Sequence, residues 1–100
     1  MRGPGAGVFA LPEAVEIELT RIERRWAQLP LERARGHLAQ VHELASTYAA
    51  RTHPGDALPL LGAGAAAAQL RVVVYDVLGA GLIAPEQVVT QLSGLRRALG

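Results

Sequence analysis

The stretch Ala65-Ala66-Ala67-Ala68-Gln69-Leu70-Arg71-Val72-Val73-Val74-Tyr75-Asp76-Val77-Leu78 decides the fold class. Its first half is four consecutive alanines, the strongest helix former. Its second half is rich in valine and tyrosine, which favour strands. A strand needs a partner, and the chain has no second run of β-branched residues. The same residues also fit a helical stripe: Ala66, Leu70, Val73, Val77 and Ala80 recur every three or four positions, with Val74 and Leu78 beside them. The spacing therefore predicts a helix, over about 62–82, weakened at its end by Gly79-Ala80-Gly81.

Three further helices are expected around it. Val15, Leu19, Ile22, Trp26 and Leu29 form one apolar stripe after Pro12, with Glu13, Glu16 and Glu18 early and Arg21, Arg24 and Arg25 late. Both signs complement the helix dipole. Pro30 ends this helix (12–29) and starts the next (30–51), whose stripe is Leu31, Ala34, Leu38, Val41, Ala45 and Tyr48. So short a connection implies an antiparallel hairpin or a sharply kinked pair. Thr52 to Asp56 reads as a turn or loop, and Pro85 opens a fourth helix (85–99) through Val88, Leu92, Leu95 and Leu99. The third helix is apolar on nearly every face, which suits a central or interfacial position. The expected architecture is all-α: a compact antiparallel four-helix bundle (12–100) behind a flexible Gly/Pro-rich arm (1–11).

Composition agrees with this class. The chain has 100 residues, 50% hydrophobic, with 18 Ala, 15 Leu, nine Val and three Ile. The absence of cysteine removes disulfide scaffolds and most zinc fingers and iron–sulfur proteins. Ten arginines and no lysine, beside abundant Ala, Gly and Leu, point to a GC-rich bacterial genome rather than to chosen chemistry. Residues 1–11 lack the sustained apolar core of a signal peptide, and the longest apolar region, 57–85, is interrupted by Pro59, Gly62, Gly64, Gln69, Arg71 and Asp76. A cytoplasmic protein with no membrane partner is the expectation.

Motifs of catalysis or cofactor binding are weak. Gly62-Ala63-Gly64-Ala65-Ala66-Ala67 matches a dinucleotide fingerprint, but the proline-containing segment before it is a poor strand. His37 and His42 are five apart, so they point about 140° from each other on a helix and do not share a metal. No Glu-x-x-His pair of a di-iron bundle occurs, and Ser93-Gly94 is not a nucleophile elbow. No catalytic residue, cofactor or metal is expected.

Two surfaces remain. Val72, Val73, Tyr75 and Val77 cover more than one face of the third helix, and Ile17 stands opposite the stripe of the first. Concentrated apolar surplus marks a protein partner, and small domains often complete their cores by dimerising. Arg21, Arg24, Arg25, Arg33 and Arg35 gather around Pro30 against Glu23 and Glu32, an excess of three positive charges. The leading expectation is thus a non-enzymatic protein-interaction or self-association module, with these arginines as a polar rim. The alternative is a small nucleic-acid-binding regulator using them, which the overall charge of only +1 disfavours. A third is an enzyme or ligand carrier with a site near His37, His42 or Tyr48.

Overall fold

A computed structural model describes residues 9–100 and is all-α. Its helices are α1 (Glu13–Gln28), α2 (Leu31–Thr52), α3 (Ala63–Gly79) and α4 (Pro85–Ala98). Among the described residues there is no strand, and the valine run from Arg71 to Leu78 lies wholly inside α3. No helix of the described residues is long and apolar enough to cross a membrane.

The helix ends follow local chemistry. Pro12 and Pro30 sit just outside α1 and α2 as N-caps with extended backbone, and Pro85 is the first residue of α4. The third helix ends at Gly79, earlier than its apolar pattern suggests. The cause is Gly81, whose φ of +69° is left-handed. It lets the Gly81 amide bond the Leu78 carbonyl (3.0 Å) and the Leu82 amide bond the Val77 carbonyl (3.1 Å), the paired closure of a Schellman motif.

Side-chain bonds establish how the helices run. Trp26, near the end of α1, donates its indole N–H to the Ala63 carbonyl at the start of α3 (2.7 Å). Phe9, just before α1, meets Tyr75 near the end of α3 edge-on, ring centres 5.4 Å apart. Hence α1 and α3 are antiparallel. Glu18 of α1 bonds Arg96 of α4 (2.7 Å), and Arg25 approaches Gly100, so α1 and α4 point the same way. At one end Ala34 of α2 shares a cleft with Ala63, Gly64 and Ala67, and at the other Arg51 bonds the Leu82 carbonyl (3.1 Å). Thus α2 and α3 also run together. The bundle consists of two parallel pairs, α2/α3 and α1/α4, opposed in direction and joined chiefly where α1 meets α3.

This arrangement resolves the connection at Pro30. Chain-adjacent α1 and α2 are opposed in direction but barely touch, so they form an antiparallel hairpin whose arms are splayed apart. A parallel α2/α3 pair requires the chain to travel back the length of the bundle, and residues 53–62 do so. That return is tied down by His42 Nε2 to the Leu58 carbonyl (3.0 Å) and Gln69 Nε2 to the Pro59 carbonyl (2.8 Å). A carbonyl only accepts, so His42 carries its proton on Nε2 in this bond.

The stripes form one core. Val15, Leu19, Ile22, Trp26 and Leu29 are all buried, as are Val88, Leu92, Leu95 and Leu99. From α2 come Ala34, Val41, Ala45 and Tyr48, and from α3 Ala66, Leu70, Val73, Val74, Val77 and Leu78. Leu31, expected in the stripe, is exposed, because it begins α2 where α1 has already ended. Of the expected arm, residues 1–8 lie outside the described residues. Phe9 and Leu11 are half-buried against the core.

Candidate interaction surfaces

The outer face of α3 exposes Val72 and Tyr75, while Ile17, Leu31, Leu60, Leu61 and Leu82 are exposed elsewhere on the molecule. Val72 is 58% exposed and Tyr75 38%, whereas Val73 and Val77 are buried. Successive helical residues turn by about 100°, so a run of valines must divide between core and surface. Val73 and Val77 therefore belong to the core and not to an outer surface. Ile17 is 44% exposed, but on the far side of α1, and the structure does not bring it to Val72 and Tyr75.

Beside Val72 and Tyr75 lies a cleft of about 500 Å³, closed by Phe9, Leu11, Glu16 and Arg71. Arg71 organises its floor. Its Nε and one terminal nitrogen bond the two oxygens of Glu23 (2.7 and 2.9 Å), and it also bonds Glu16 (2.7 and 2.9 Å). This bidentate clamp ties α3 to α1. The Arg71 hydrogen bond, with the Arg71 charge and the Thr20 hydroxyl, holds Glu16 below its ordinary carboxylate range against the opposing effect of burial. Glu16 and Glu23 are seven residues apart, two helical turns, so they share one face of α1 and a single arginine reaches both.

The arginines expected to cluster at Pro30 are divided. Arg21 and Arg25 face α4, where with Arg96, Arg97 and Gly100 they line a cleft of about 450 Å³. Arg24, Arg33 and Arg35 are exposed and do not line it. Sequence reasoning missed Arg96 and Arg97, because their approach depends on α1 and α4 running parallel. Glu18, bonded to Arg21 and Arg96 of this cleft, is the one charged side chain buried with the core among the described residues. Burial opposes its charge, but the Arg96 hydrogen bond and charge, with Ser93 and Arg21, outweigh that and bring it below the usual carboxylate value.

The remaining candidates do not converge. His42 is engaged with the Leu58 carbonyl, and Tyr48 is fully buried, donating its hydroxyl to Gln91 Oε1 (2.7 Å). His37 is half-buried on another face of α2. Among the described residues no three His, Asp or Glu side chains come together as metal ligands. Gly62 to Ala67 begins α3 with no strand before it, and the cleft at Gly64 (about 400 Å³) is lined by Trp26, Ala27, Leu29, Leu31 and alanines, with Glu23. Comparison with family models, with curated proteins and with solved structures finds no match to this chain.

Proposed function

We propose that this domain is a non-enzymatic helical interaction module whose partner is a second copy of itself, docked on the outer face of α3. The observation that carries the reading is the surface of Val72 and Tyr75, flanked by Phe9 and bordered by Glu16 and Arg71. A two-fold interface places the same patch on both sides, so it must be complementary to itself. An apolar centre meets that condition, because the border residues Arg71 and Glu16 are already paired with each other within one chain. Aromatic residues at the centre of such a patch supply most of the association energy. A nucleic-acid reading has less support, because Arg24, Arg33 and Arg35 are not gathered with Arg21 and Arg25.

Light scattering after gel filtration, from about 10 μM to 1 mM protein, tests the proposal in the range of weak small-domain dimers. The expected result is a dimer that Val72→Glu or Tyr75→Glu converts to a monomer with unchanged helical circular dichroism. A monomer at every concentration overturns the reading. A dimer indifferent to both substitutions moves the interface elsewhere and overturns the assignment of this face.

A further inference from the structure

The cleft between α1 and α4 suggests a second role, independent of the α3 face. Four guanidinium groups, from Arg21, Arg25, Arg96 and Arg97, line one concavity of about 450 Å³. Glu18 bonds Arg96 at 2.7 Å and Arg21 at 3.4 Å. Among the described residues, neither Arg25 nor Arg97 has a carboxylate partner. Arg25 Nε is buried and makes no hydrogen bond.

The simplest alternative is that these arginines only balance helix dipoles. The charges decide against it. Because α1 and α4 run parallel, both negative helix ends lie near this cleft, each worth about half a charge. Glu18 supplies one more negative charge. Against four positive charges that leaves an excess of about +2 on the same dipole magnitudes.

We propose that this cleft binds a dianionic phosphate monoester. At neutral pH such a group carries about −1.5 to −2 charge, which matches the excess, and offers three strong acceptor oxygens. Guanidinium forks suit phosphate oxygens in pairs. The cleft also has the volume of a small-ligand site, enough for a phosphorylated metabolite. A duplex, in contrast, needs cations spread along its backbone, and these four line a single cleft.

The test titrates ribose 5-phosphate, inorganic phosphate and ribose into the protein at low salt, following the arginine Nε–H resonances, with a short DNA duplex as a separate arm. Saturable shifts at Arg25, Arg96 and Arg97 with ribose 5-phosphate, and none with ribose, are expected. Inorganic phosphate binding equally well identifies the free ion as the ligand; weaker binding identifies the ester. Arg25→Ala should weaken binding at least about tenfold, the worth of one charged hydrogen bond. Arg97→Glu, at an exposed position, should abolish it even if Arg25→Ala impairs folding. Glu18→Gln should tighten it severalfold by removing the opposing charge, and Arg33→Ala should leave it unchanged. No saturation by about 10 mM overturns the proposal, since that is weaker than any affinity four cations should give. Binding indifferent to Arg97→Glu, or binding of the duplex without the monoester, overturns it equally.

Discussion

Replacing Tyr48 by Phe isolates a single bond between α2 and α4. Tyr48 is entirely buried, and its hydroxyl donates to Gln91 Oε1 at 2.7 Å. Burial pushes the phenol above its ordinary range, so the group is neutral and acts only as a donor and packed ring. Phe keeps the ring and loses the bond, a net cost of about 1 kcal/mol. The cost stays near that value because Gln91 lines an open cleft with Gln40, Glu43 and Thr47, where water replaces the lost donor. Tyr48→Ala is a different perturbation, since it leaves a cavity in the core and should cost about 3–5 kcal/mol. For a domain of this size, 1 kcal/mol lowers Tm by about 4–8 °C. Urea and thermal unfolding of Tyr48→Phe, Gln91→Leu and the double variant measure the pair, with an expected coupling of about 1 kcal/mol. Zero coupling refutes the bond. A Phe variant as unstable as the Ala variant refutes the assignment of the ring, and not the hydroxyl, as the main contribution.

Three further outcomes follow from the same geometry. Glu18 has a lowered folded-state value, so its ion pairs contribute fully above its unfolded value near 4.5 and are lost as pH falls through the folded one. Glu18→Gln should therefore reduce the loss of stability between about pH 5 and pH 3 in urea titrations, and an unaltered acid limb contradicts the pairing with Arg96. Gly81→Ala forces a Cβ into the left-handed region and should cost about 1–2 kcal/mol by thermal unfolding, whereas Gly94→Ala inside α4 should stabilise. Arg71→Ala should cost about 1 kcal/mol, reduced by high salt because the pairs are partly exposed, and a salt-independent loss would argue for packing instead.

The stripes of α1 and α4 were legible because each helix buries one face. Every residue from Val15 to Leu29 and from Val88 to Leu99 on those stripes is buried. α3 was legible as a helix for a negative reason, the want of any strand to pair with. Its faces were not. Val72, Val73 and Val74 are chemically identical, yet Val72 is exposed and the other two are core. The candidate sites were legible in residue type more than in grouping. Arg21 and Arg25 were visible as charges, but their neighbours Arg96 and Arg97 lie some seventy positions away. Phe9, in a stretch whose composition suggested an arm, instead packs on Tyr75.

By itself the sequence determined four helices, most of their ends and the residues of the core, because hydrophobic periodicity, proline and glycine act within a few residues. Only the tertiary structure decided which helices pair and in which direction. A return loop rather than a tight turn lets α2 and α3 run parallel, and no local pattern encodes that. From that choice follow the exposed face of Val72 and Tyr75 and the meeting of four arginines between α1 and α4. Both surfaces depend on which side chains the neighbouring helices leave uncovered.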